Sequence, residues 1–89
     1  EWAAGRRERA RAEAVETARA LAELLLDSDP TGAAEACAAG LAIDSHHDPL
    51  WRILVEARER AGDQAAATSA RSGYARMLAD LGVTAADNA

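Results

Sequence analysis

The sequence contains no phenylalanine and no lysine, and only one tyrosine, two tryptophans, two prolines and one cysteine among its 89 residues. With so few aromatics the interior must be built from alanine and leucine. Alanine favours helix and lets helices approach closely, but it buries little area per residue. The single cysteine, Cys37, excludes an internal disulfide and fits a reducing compartment. No run is apolar enough for a membrane span and no signal-peptide pattern is visible, so a cytoplasmic protein without membrane contact is expected. No alternating apolar–polar stretch is long enough for a strand. Ten arginines against fifteen carboxylates leave a net charge of −5, which argues against bulk binding to nucleic acid or anionic membrane. At this length one domain with a marginal core is expected. The start at Glu1 rather than Met points to a domain excised from a longer chain.

What the sequence does have is helical periodicity with clear breaks. The spacing predicts helices at about 6–27, 30–43, 49–61 and 63–81. The strongest segment runs from Asp48 to Gly82. Asp48 is suited to cap a helix, with Pro49 at the first helical position, where a missing N–H costs nothing. Leu50, Leu54, Ala57 and Ala61 form an apolar stripe, and Arg52, Glu56, Glu59 and Arg60 fall on the opposite, wet face. Gly62 ends this helix and Asp63 caps the next. The last helix is expected to bury Ala67, Ala70, Tyr74, Met77 or Leu78, and Leu81, and to stop at Gly82, with a disordered tail beyond Val83.

Upstream, residues 1–5 read as a frayed lead-in. The first helix then presents Ala10, Ala14, Ala18, Leu21 and Leu25 on one face. Its first turns are basic, at the end where the helix dipole disfavours positive charge. Asp29-Pro30 repeats the cap-plus-proline device, and the second helix packs through Ala33, Cys37, Gly40 and Leu41. Gly40 costs a helix about 1 kcal/mol relative to alanine, so a second backbone is expected against it. Residues 44–47 form the loop before the third helix.

A spacing of 34 residues aligns Ser28 with Gly62, Ala33 with Ala67, and Leu41 with Ala75. With small residues at the turn and at the helix contact, this period resembles the tetratricopeptide repeat. Trp51 stands at that repeat's first aromatic position, Leu54 at its leucine, Gly62 at its turn glycine and Ala67 at its packing alanine. Thr17 replaces the aromatic in the first unit. The resemblance implies an all-α, four-helix, tetratricopeptide-like stack of two antiparallel helical hairpins. Two segments narrow it further. Asp48, Leu50-Trp51, Arg60-Ala61-Gly62 and Leu81-Gly82-Val83 resemble the closing part of the bacterial transcriptional activator domain (BTAD), a helical module of bacterial regulatory proteins. The usual aromatic after the packing alanine is displaced to Tyr74, and the proline expected after Leu-Gly-Val is absent. The resemblance covers roughly the last 60 residues. It implies a non-enzymatic protein–protein interaction or oligomerisation module of a transcriptional regulator. The partner would be another protein, a neighbouring domain of the same chain, or a second copy in a homodimer.

Under that resemblance Arg52 and Glu56 fall at groove-facing positions, and Arg52, Glu56, Glu59 and Arg60 become the candidate partner-binding residues. The same charges also fit an i,i+4 solubility pattern. Arg6, Arg7, Arg9 and Arg11 offer the alternative, a helical domain touching nucleic acid. Glu8 and Glu13 interrupt that run, and a solvated helix face explains it as well. Asp44, His46, His47 and Asp48 form the only cluster with metal-ligand residue types, but adjacent histidines in an extended loop point apart and Asp48 is committed to capping. Cys37 reads as a buried structural thiol, and Trp51 as an aromatic packed between helices. The serines lack a nucleophile frame and no phosphate-cradling glycine loop exists. No catalytic residues, metal or cofactor are expected.

Overall fold

A computed structural model describes the backbone of residues 2–88 and the side chains of residues 3–82. Four helices make up the ordered elements among them: α1 (Trp2–Leu25), α2 (Pro30–Ile43), α3 (Asp48–Arg60) and α4 (Gln64–Asn88). No strand occurs among the described residues, so the all-α, four-helix class holds. Each helix packs on the next in order, α1 also touches α3, and α4 contacts α3 alone. The result is a slab with extents of 45 × 35 × 16 Å.

The breaks follow local chemistry. Asp29 caps α2 by accepting from the Gly32 N–H at 3.0 Å, with Pro30 just inside the helix. Asp63 does the same for α4, accepting from the Ala66 N–H at 3.0 Å. Between α3 and α4 the chain turns through Gly62, whose φ is 80°. The Gly62 N–H donates to the Glu59 carbonyl and the Asp63 N–H to the Arg58 carbonyl, the paired bonds that satisfy a helix end when a left-handed residue follows it. A side chain with a Cβ is strained at that φ. Gly62→Ala is expected to lower stability by about 1–2 kcal/mol, read as a lower urea midpoint at unchanged m-value.

The core is small and alanine-rich. Leu50 and Cys37 are the largest side chains fully buried. Around them lie Val15, Ala22, Ala33, Ile53, Leu54 and Ala57. Ala67, Ala70, Met77 and the half-buried Tyr74 form the inner side of α4.

Several expectations need correction. On α1 the covered stripe is Val15, Ala18, Ala22 and Leu25, while Ala10, Ala14 and Leu21 are exposed. The helix carries two adjacent apolar stripes, and the bulk of Val15 and Leu25 selects the one that faces α2. Asp48 does not cap α3. His47 stands at the cap position without a side-chain bond, and Asp48 lies within the first turn. Its carboxylate is held elsewhere, by Tyr74 and Arg52. Gly40 faces side chains rather than a backbone: a Cβ there would lie 2.6 Å from Leu50 Cδ1 and 3.0 Å from Ala18 Cβ. Leu41 is half-buried and Ala61 exposed. Met77 rather than Leu78 is the buried member of its pair, and Leu81 is more than half exposed. The backbone of residues 2–5 is helical. Gly82 does not stop α4, which continues to Asn88 because Gly82 keeps a negative φ and no proline follows. The side chains expected in the tail, and that of Trp2, lie outside the described residues.

Candidate interaction surface

The polar side of α3 gathers the four residues that the sequence singles out. Arg52, Glu56, Glu59 and Arg60 are all exposed, as their i, i+4, i+7, i+8 spacing requires. Each is tied to a neighbour. The Arg52 Nε–H reaches Asp48 Oδ2 at 2.7 Å and the Tyr74 hydroxyl at 3.0 Å. That hydroxyl donates to Asp48 Oδ1 at 2.6 Å. Arg60 bonds Glu56 at 2.6 Å and also Asp27 in the α1–α2 turn. Glu59 pairs with Arg71 of α4. The row is therefore a string of ion pairs linking α3 to α4 and to the first turn.

The Tyr74 hydrogen bond, followed by the Asp48 charge, raises the Arg52 pKa above its ordinary value, and bonds to Asp27 and then Glu56 do so for Arg60. Arg52 and Arg60 therefore stay charged throughout the neutral range. Solvent-exposed pairs of this kind contribute little to stability. A partner presenting a carboxylate or a guanidinium can exchange with them at low cost.

Asp48, Tyr74, Asp27 and Arg71 also belong to this surface but were not among the candidate partner-binding residues read from the sequence. The i,i+4 spacing of Asp48 and Arg52 was a signal for one pair. Nothing local could have brought Tyr74, Arg71 or Asp27 to α3.

The four N-terminal arginines do not form one patch. Arg7 and Arg11 lie on one side of α1, with Arg6 and Arg9 on another, as 100° per residue dictates. Arg11 donates to the Ile43 carbonyl at 2.8 Å, closing the end of α2. The residues expected in the loop also separate. His46 points toward Asp80 of α4, its Nε2 4.0 Å from Oδ2. His47 Nδ1 lies 3.9 Å from Asp44 Oδ2, and its Nε2 is buried without a partner. It borders an open cleft of about 470 Å³ beside Glu8, Arg11, Val15, Glu16 and Ile43. No group of three or more metal-ligating side chains converges among the described residues.

Trp51 is half-buried. Its Nε1–H donates to the Ser45 carbonyl at 2.9 Å, and its ring lies over Gly73 of α4. Cys37 is fully buried, and burial pushes its thiol from the ordinary 9.0 up to about 11, with Arg58 pulling weakly the other way. Arg58 is a nearby cation that the sequence did not reveal. The unfolded chain ionises first as pH rises, so the neutral thiol stabilises the fold below the ordinary pKa and that contribution is lost between about pH 9 and 11. With a thiol reagent at pH 8, Cys37 is expected to react only as fast as the protein opens. One thiol per chain should appear at once in denaturant. Immediate labelling of the native protein would contradict its burial.

No protein-family model, curated protein or solved structure matches this chain. Among the described residues no helix is long and apolar enough to cross a membrane.

Proposed function

We propose that this chain is a non-enzymatic protein–protein interaction module of a cytoplasmic bacterial transcriptional regulator, related to the BTAD type. The observation that carries the proposal is the α3 row, where Arg52 is held in place by Asp48 and Tyr74 yet keeps 71% of its side chain exposed. A fixed, exposed guanidinium beside exchangeable carboxylates suits recognition of a mixed-charge protein surface, because little side-chain entropy remains to be lost on binding. The likeness of residues 48–62 and 81–83 to the closing part of the BTAD supports the regulatory context.

The test is a double charge reversal, Arg52→Glu with Glu56→Arg, placed in the intact regulator and read by a reporter of transcription. Activated transcription should fall at least tenfold while the melting temperature drops by only a few degrees, the cost of the reversed i,i+4 pairs, and the DNA affinity of the regulator stays within error. Full activity in the variant would overturn the assignment of this face. The alternative, contact with nucleic acid through Arg6, Arg7, Arg9 and Arg11, is separated by fluorescence anisotropy with a short DNA duplex at low salt. No saturable binding is expected. Salt-dependent binding lost on Arg7→Glu with Arg9→Glu would put the basic helix in place of α3.

A further inference from the structure

The outer side of α1 carries a second stripe that, among the described residues, no other element covers. Arg7, Ala10, Ala14, Thr17, Leu21 and Leu24 recur at alternating spacings of three and four, the seam that a paired helix fills. All are exposed, and Leu21 and Leu24 are 46% and 78% so. Leu21 and Leu24 stand next to each other on this stripe, an exposed apolar pair rather than scattered single residues. The charge is divided along the helix: residues 6–11 carry a net +3 and residues 13–25 a net −2, with Asp27 and Asp29 adding two negative charges just beyond its C-terminal end. Arginines at a helix N-terminus also oppose the dipole of their own helix.

We propose that two copies of this chain pair through this stripe, α1 against α1 and antiparallel, about a twofold axis passing between Ala14 and Thr17. In that register Ala14 faces Thr17 of the second copy, Ala10 faces Leu21, and Arg7 lies over Leu24. The alanine layers allow close approach of the helices, and the leucines supply the apolar bulk. The stem of Arg7 covers Leu24 of the second copy, and its guanidinium reaches the C-terminal end of that α1, where the dipole is negative and Asp27 and Asp29 lie. The basic half of each helix thus meets the acidic half of the other, and the twofold axis makes the match twice. A head-to-head arrangement would set +3 against +3. The proposal uses the outer side of α1, not α3, and stands whether or not α3 binds a partner.

A helix pair of this length buries on the order of 1,200 Å², the lower end for a specific interface, so a weak dimer is expected. Sedimentation equilibrium of the 89-residue chain should show the average mass rising toward twice the monomer value between about 10 µM and 1 mM. Leu24→Glu, at an exposed site where folding is undisturbed, should weaken the dimer at least tenfold with an unchanged circular dichroism spectrum. Arg7→Glu should weaken it too. A mixture of Ala14→Cys and Thr17→Cys chains should cross-link faster under mild oxidation than either variant alone, and buried Cys37 does not compete. A strictly monomeric chain at 1 mM would overturn the proposal. So would a dimer that survives Leu24→Glu and is lost on Leu78→Glu with Leu81→Glu, which would assign association to α4. Faster self-cross-linking of each cysteine variant would overturn the antiparallel register.

Discussion

Leu50→Ala is expected to destabilise the protein by about 2–5 kcal/mol and to lower the melting temperature by on the order of 10–20 °C. Leu50 is fully buried in the core shared by α1, α2 and α3 and lies against Gly40. Gly40, which its side chain covers, has no side chain of its own to swing into the space Leu50 leaves. A domain of this size has a total stability of roughly 5–15 kcal/mol, so the variant stands near the threshold of folding. The contact with Gly40 supplies an internal check. Gly40→Ala alone gains about 1 kcal/mol of helix propensity but forces its methyl group into Leu50 Cδ1, at a cost of about 1–3 kcal/mol. In the Leu50→Ala background the conflict with Leu50 is gone and only the closer fit to Ala18 Cβ remains. The double variant should therefore lose less than the sum of the two single changes, with a coupling of about 1 kcal/mol or more. Strict additivity in urea unfolding would show that the two residues do not touch.

Gly73→Leu is the second large effect. A Cβ at Gly73 would lie 2.7 Å from Trp51 Cη2 and 2.8 Å from Cζ3. The ring cannot simply tilt away, because its Nε1–H is bonded to the Ser45 carbonyl. Leucine is a good helix former, so propensity works in favour of the variant and any loss must come from the steric conflict. Overpacking of this kind is expected to cost about 1–3 kcal/mol net. In a Trp2→Phe background Trp51 is the sole tryptophan, and its emission should shift to the red as the ring is expelled. Trp51→Ala combined with Gly73→Leu should recover part of the loss. An unshifted emission maximum with unchanged stability would place the ring elsewhere.

The contact between Trp51 and Gly73 also marks the boundary of what could be read in advance. The helix breaks were legible, because Asp29-Pro30 and Gly62-Asp63 act through bonds within a few residues of themselves. The polar row of α3 was legible for the same reason, since position on a helix follows from spacing alone. The ion partners of that row were not, because Tyr74, Arg71 and Asp27 reach α3 only through tertiary packing. Asp48 shows the two kinds of information in conflict. Its local preference is to cap, and a tertiary bond to Tyr74 together with Arg52 prevails. In α1 the sequence offered two apolar stripes side by side, and alanine could not distinguish them. Only the demand of α2 for bulk at Val15 and Leu25 did so. At the other end, Gly82 resembled a stop signal, but a glycine ends a helix only when it adopts a positive φ, and this one does not.

Among the described residues α3 is the one helix that α4 packs on, and this sets an order of local opening. A leaf hinged along one edge is released at the cost of one seam, whereas α2, clasped by α1 and α3, comes free only when two give way. Amide protons of α4 should thus exchange with solvent sooner than those of α2 under native conditions. Each such opening would also release Arg52 and Glu59 from Tyr74 and Arg71, which ties the readiness of the α3 row to how firmly its neighbour is seated.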